Sequence, residues 1–304
     1  MDPKNIVDKD SSFFGQPGGL QTLFFTEMWE RMSYYGMRAL LVLFMTASLQ
    51  EGGLAITVAS ATAIYGLYTG AVYFMGLPGG WIADRLLGGQ RATWYGGIII
   101  MLGHIVLAIP SEAGFFVGMI LVVLGTGLLK PNITAMVGQL YSSDDDRRDG
   151  GYSLYYMGIN IGSIIGYFVT GYLMENAGYH WGFGAAAVGM AFGLIQYKLT
   201  QRKLNGVGEK PPKPMGPKGT KRSWGIIWLL LAGLAVYTYL ALNDYVTIDP
   251  TVVAGNVAII FTVIFFLYYL SVFIFGKLTR DEMKRLGALF LVCIASTMFW
   301  AGFE

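Results

Sequence analysis

The sequence predicts an all-α, multi-pass membrane protein, and three observations lead there. Hydrophobic residues make up 54% of the 304-residue chain and charged residues 13%, with a mean hydropathy of +0.52; soluble domains carry about 25% charge. Nine apolar runs are long enough to cross a bilayer, a task that takes roughly 17–25 residues. Lys and Arg also fall almost entirely on alternate connections between those runs.

The runs occupy residues 20–49, 54–83, 92–109, 114–140, 152–173, 182–197, 224–242, 253–275 and from 286 onward. Only helices satisfy their own backbone in lipid segment by segment, and these runs are too long for barrel strands. With the N-terminus on the cytoplasmic side, the even-numbered connections are internal. The tail (Lys4, Lys9) and connections 84–91, 141–151, 198–223 and 276–285 then hold 18 of the 21 basic residues. The opposite connections, "QEGG", "PSEAG", "MENAGYH" and "NDYVTIDPT", hold none and carry five acids, as the positive-inside rule requires. The polar N-terminus lacks the basic-then-apolar order of a signal peptide. A single cysteine, Cys293, excludes an intrachain disulfide and a thiolate metal cluster. The connection "KLTQRKLNGVGEKPPKPMGPKGTKR" is rich in basic residues, Pro and Gly. It reads as a flexible cytoplasmic linker beside anionic lipid heads. The resulting organisation is a cytoplasmic tail (1–19), a six-helix bundle (20–198), a linker (199–223), a two-helix pair (224–276) and a connection opening a ninth helix (277–304).

The three basic residues left over, Arg31, Arg38 and Lys130, lie inside spans. A charge at the centre of a membrane helix costs roughly 2.5–3.5 kcal/mol on insertion scales and marks an ion or substrate pathway by default. In "TEMWERMSYYGMR", residues 27, 30, 31, 34, 35 and 38 fall within about 140° of a helical wheel. One face thus carries Glu27, Glu30, Arg31, Tyr34, Tyr35 and Arg38. Glu27 and Arg31 have the spacing and order of a helical ion pair. Lys130 precedes Pro131 in "GTGLLKPNIT"; proline frees a backbone carbonyl, tolerable where a helix faces protein or water. In "YSLYYMGINIGSIIGY", Tyr156 and Asn160 share a face, and Gly158, Gly162 and Gly166 permit close helix packing. Asn160 serves equally well as an interhelical bond or a ligand contact. "STMFWAGFE" places Trp300 and Glu304 four apart. His104, with no acid on its helix, reads as a packing residue.

No GxSxG elbow, HExxH pair or P-loop is present, so neither hydrolase, zinc protease nor ATP-driven pump is indicated. Charges converging from several helices describe a pathway driven by an ion gradient, and carboxylates beside Arg and Lys suit protons. No cofactor, nucleic-acid partner or obligate protein partner is indicated.

These residues carry a family resemblance. "EMWERMSYYGMRALL" resembles the E-x-x-E-R signature of the proton-dependent oligopeptide transporters, a branch of the major facilitator superfamily. "GGWIADRLLGGQR" is similar to that superfamily's helix 2–3 loop motif through Gly80, Asp84, Arg85 and Gly88. "GTGLLKPNIT", "LYYMGINIGS" and "FWAGFE" resemble the fourth, fifth and seventh helix signatures. The resemblance implies two six-helix halves that rock around a central site. The seventh and eighth runs look like a helix pair inserted between the halves, and the ninth like the start of core helix seven. The chain thus resembles the N-terminal part of such a transporter.

The function implied is proton-coupled symport of di- and tripeptides, energised by a proton gradient, across a bacterial cytoplasmic (inner) membrane. Relatives moving nitrate, amino acids or other small anions are the alternative, followed by a non-transporting peptide sensor. By position, the resemblance implies peptide contacts at Arg31, Tyr35, Arg38, Tyr73, Lys130, Tyr156, Asn160 and Trp300, with Tyr68 as the fallback for Tyr73. It implies proton coupling by Glu27, Glu30, Arg31 and Lys130, and a gating ion pair between Glu304 and Arg38 or Lys130.

Overall fold

The structure is a computed structural model and describes residues 11–303. Its helices are α1 (Gly18–Thr46), α2 (Val58–Phe74), α3 (Gly76–Ile82), α4 (Gly89–Leu107), α5 (Glu112–Gln139), α6 (Arg148–Ala177), α7 (Tyr179–Thr200), α8 (Pro217–Leu242), α9 (Pro250–Phe275) and α10 (Arg280–Phe303). α2, α3 and a π turn at Ala83–Leu87 form one broken span, Val58–Leu87. Every apolar run of the sequence falls on one of these spans. Six of them are long and apolar enough to cross a membrane, and no strand occurs among the described residues. The protein is a multi-pass, all-α membrane protein.

Local chemistry sets the helix ends. The side chains of Thr57, Ser111 and Asp249 accept the first free N–H groups of α2, α5 and α9, which have no intrahelical partner. Pro217 and Pro250 open α8 and α9, where a missing N–H costs nothing.

The chain divides into Met1–Ile248 and Asp249–Glu304. In the first unit, two apolar layers flank the middle of α1. One joins Leu20, Leu23, Phe24 and Met28 to Leu129, Ile133, Met136 and Tyr197. The other joins Met37, Leu41 and Phe44 to Phe115 and Phe183. Glu30 and Arg31 fall between the two sets along α1, and with Glu27 they are fully buried.

Glycines let the helix backbones touch. A Cβ on Gly162 or Gly166 of α6 would collide with the carbonyls of Met28 or Met32 on α1, and Thr170 donates to Gly36 O at 3.0 Å across the same seam. The glycines of α6 therefore pack as their spacing predicts. Pro131 cannot donate to Gly127 O, and that carbonyl instead lies against Gly79 of α3, where no Cβ fits. Asn132 ties the crossing by donating to Gly79 O at 3.3 Å and Leu128 O at 2.6 Å. The neighbouring Gly80, singled out by the loop motif, has open space around it.

The expectation of a flexible linker is corrected. Leu204 is fully buried, and Val207 O and Gly208 O accept from the side chain and backbone of Gln90 at 2.7 and 2.8 Å. Lys213 N and Met215 N donate to Asp84 O and Arg85 O at 3.0 and 3.3 Å, so the segment docks on the π turn, and α8 already begins at Pro217. Composition spoke for solvation, but the turn offers free carbonyls in register with the strap. Gly88, at φ +83°, leaves no room for a Cβ against Glu209 O, a close approach only glycine permits.

In the second unit, Phe265 and Tyr269 of α9 pack on Phe290 of α10 at ring separations of 5.7 and 5.1 Å. Tyr269 Oη lies 3.4 Å from Cys293 Sγ.

Candidate functional site

Spacing on α1 puts Glu27, Glu30 and Arg31 within reach of Lys130 on α5 and Tyr155 on α6, and burial makes them a cluster. Their side chains are 1%, 0% and 2% exposed. Arg31 Nε donates to Glu30 Oε2 and forms an ion pair with Glu27 Oε1 at 3.2 Å. Two carboxylates thus share one guanidinium, leaving the trio one positive charge short when both acids are ionised. Glu27 Oε2, Glu30 Oε1 and Arg31 Nη2 are buried without a hydrogen-bond partner. Buried polar atoms without a partner are rare in native structures. Lys130 of α5 lies within electrostatic reach of Glu27, Glu30, Arg31 and Arg38.

Each intramembrane cation rests on a tyrosine. The Arg31 guanidinium sits 4.8 Å from the Tyr34 ring centre and 5.7 Å from that of Tyr35. Arg38 lies 5.2 Å over the ring of Tyr65, whose hydroxyl accepts from its Nε. Lys130 Nζ lies 4.8 Å over the ring of Tyr73. A ring face steadies a desolvated cation without neutralising it, by about 0.5–2 kcal/mol. Tyr35 also packs on Tyr167 of α6.

The structure thus brings Tyr35, Arg38, Tyr73 and Lys130 together beside the cluster. Tyr73 is 66% exposed, whereas Tyr68 is 5% exposed and stacks on Tyr34, so Tyr73 alone is available to a ligand. Arg31, expected to touch a peptide, is enclosed by its two acids. Tyr156 and Asn160 share the exposed face of α6, where Asn160 donates to Tyr156 O at 2.9 Å instead of reaching another helix. Trp300 belongs to the second unit, edge-on to Phe299. Glu304 lies outside the described residues. In the loop motif, Asp84 and Arg85 act through their backbone carbonyls and Gly88 through its conformation. His104 is fully buried, with both ring nitrogens lacking a partner.

Two residues escaped the sequence reading. Tyr65 shares α2 with Tyr68 and Tyr73, and no spacing along that helix singles it out. Tyr155 is buried beside the Glu27 carboxyl and 3.3 Å from Thr134 Oγ1; its neighbour Tyr156 had drawn the attention.

Outside the spans, Arg147 beside Asp145 donates at 3.0 and 2.7 Å and holds its carboxyl below the usual range, fixing the turn into α6. Burial pushes the Tyr141 hydroxyl of the same connection up to about 12.

Comparison with known proteins places this arrangement. The family model described as "PTR2: POT family" matches residues 90–304. The peptide transporter YePEPT of Yersinia enterocolitica is 39% identical over 96% of this chain and 59% of its own length. The di-/tripeptide transporter of Lactococcus lactis subsp. lactis is 40% identical over 98% of this chain and 61% of its own. A crystal structure of a peptide transporter POT in complex with sulfate superposes with a TM-score of 0.87 at 42% identity, covering 99% of this chain and 62% of that one. The chain therefore spans about three-fifths of the length of these relatives. The backbone likeness runs over nearly the whole of this all-α, multi-pass chain. Likeness in sequence and in backbone covers nearly every residue, the family model matches more than half of them, and the chain belongs to the POT family.

Proposed function

We propose that this chain forms part of a proton-coupled symporter of di- and tripeptides, working by alternating access in a bacterial inner membrane with its N-terminus cytoplasmic. The observation that carries the reading is the charge count of the enclosed cluster: two carboxylates, one guanidinium, and Lys130 close by. A proton on either carboxylate, or Lys130, supplies the missing positive charge. Protonation therefore frees Lys130, and loosens the hold on Arg31, so both can respond to a peptide. Arg38 and Lys130 hold the peptide carboxylate by charge-assisted hydrogen bonds. Tyr35, Tyr73, Tyr156 and Asn160 line the remaining contacts. The names of the relatives support the peptide as substrate, and the basic inner connections support the orientation.

The test is uptake of labelled dialanine by the full-length protein in liposomes under an inward proton gradient. Accumulation that follows the gradient is expected, together with its loss in Glu30→Gln. Uptake indifferent to the gradient, or untouched in Glu30→Gln, refutes the mechanism. Competition by nitrate in place of unlabelled dialanine refutes the substrate.

A further inference from the structure

Glu27 is 1% exposed, yet a coupling carboxylate must trade its proton with water. Among the described residues, a chain of hydroxyls runs from this carboxyl to an exposed residue. Tyr155 of α6 is buried beside Glu27. Its Oη lies 3.3 Å from Thr134 Oγ1 on α5, and Thr134 is exposed, one helical turn beyond Lys130. We propose that Glu27 exchanges its proton with the open face of the bundle through the hydroxyls of Tyr155 and Thr134. The inference rests on the proton-coupled reading above and names the route that reading leaves open.

Two proton arrangements are open to this chain, because either hydroxyl of the Tyr155–Thr134 contact can be its donor. With Glu27 protonated, its carboxyl donates to Tyr155 Oη and Tyr155 donates to Thr134, whose own proton goes to Lys130 O at 3.0 Å. With Glu27 ionised, Tyr155 donates to the carboxylate and accepts from Thr134.

In the outward direction, the Glu27 carboxyl passes its proton to Tyr155 Oη. The Tyr155 proton moves to Thr134 Oγ1, and the Thr134 proton, released from Lys130 O, leaves to water. The tyrosine and threonine end neutral and the carboxylate alone carries the new charge. The reverse sequence loads Glu27. The other groups facing Glu27 are Glu30 and Arg31 on its own helix and Lys130 from α5. α7 offers the uncharged Gln196, held by Thr26 at 3.0 Å. Arg31 is committed to two carboxylates and stays protonated, so it relays nothing.

The experiment compares gradient-driven dialanine uptake with counterflow, in which preloaded unlabelled peptide exchanges for label and no net proton flow is needed. Tyr155→Phe keeps the ring and Thr134→Val keeps the shape, and each removes one hydroxyl. Both are expected to slow driven uptake about tenfold while leaving counterflow within about twofold, since a positioned proton carrier matters only to the protonic step. Unchanged driven uptake in both variants, or equal loss of both modes in Thr134→Val, overturns the proposal. If Tyr155→Phe fails to fold, the exposed Thr134 decides alone. A wild-type protein indifferent to the gradient refutes the symport reading itself, whereas a gradient-dependent wild type with unaffected variants refutes only the route.

Discussion

Replacing Arg31 by Gln tests the enclosed cluster most directly. The substitution leaves Glu27 and Glu30, 1% and 0% exposed, without the guanidinium that both oxygens contact. Removing one partner of a buried ion pair costs about 3–5 kcal/mol, because the other charge stays desolvated. For a body of about 150–250 residues, 1 kcal/mol corresponds to about 2–4 °C, so the melting temperature in detergent should fall by roughly 6–20 °C. The variant Glu27→Leu/Glu30→Leu/Arg31→Met removes the trio's charges together and leaves only the half-buried Lys130 without its acids, and replacing a whole buried network by well-packed apolar groups of similar volume is often close to neutral in stability. It should therefore melt above Arg31→Gln despite carrying more substitutions. A fall for Arg31→Gln of less than about 2 °C, or a triple variant no more stable than the single one, would show that the cluster is not the enclosed charge network described.

Three further outcomes are expected. Gly162→Ala, whose Cβ would strike Met28 O, should destabilise the detergent-solubilised protein by about 1–3 kcal/mol, whereas Gly171→Ala, with open space around it, should be neutral or slightly stabilising by melting temperature. Gly88→Ala forces a side chain into the φ +83° conformation against Glu209 O and should release the strap, seen as faster proteolysis within residues 205–216; Gly80→Ala, which meets nothing, should leave the cleavage rate unchanged. Asp145, held below its ordinary value of 3.8 by Arg147, adds stability that is full above about pH 4 and lost as pH falls through its lowered pKa. Wild-type melting temperature should therefore drop more steeply than that of Asp145→Asn as pH is lowered below 4, and parallel curves would contradict the pairing.

The spans and the cluster were legible for the same reason: both follow from helical periodicity along a single element. Glu27, Glu30 and Arg31 share a face because of their spacing, and Gly158, Gly162 and Gly166 make a seam for the same cause. What the sequence hid depends on contacts between elements. Nothing along α2 distinguishes Tyr65, Tyr68 and Tyr73 until α1 and α5 are in place. One then anchors Arg38, one is buried on Tyr34 and one supports Lys130. Tyr155 and Tyr156 look equivalent in the sequence, yet one is 4% and the other 64% exposed. Gly79 and Gly80 are likewise adjacent, and only Gly79 meets the carbonyl that Pro131 leaves unbonded. The linker misled because charge, Pro and Gly report affinity for water, and the strap is held by backbone groups whose partners lie over a hundred residues away.

The docked strap changes how this polypeptide can be altered by protein engineering. A connection rich in Lys, Pro and Gly is where a tag, a reporter domain or a protease site would ordinarily be inserted. Here residues 207–215 make backbone bonds with Asp84, Arg85 and Gln90, so even a one-residue insertion shifts every later donor off its acceptor. Fusion partners placed at Ser143–Asp144, on the exposed part of the connection between α5 and α6, avoid that register. The stretch that looks most dispensable is therefore the one whose length is most tightly set.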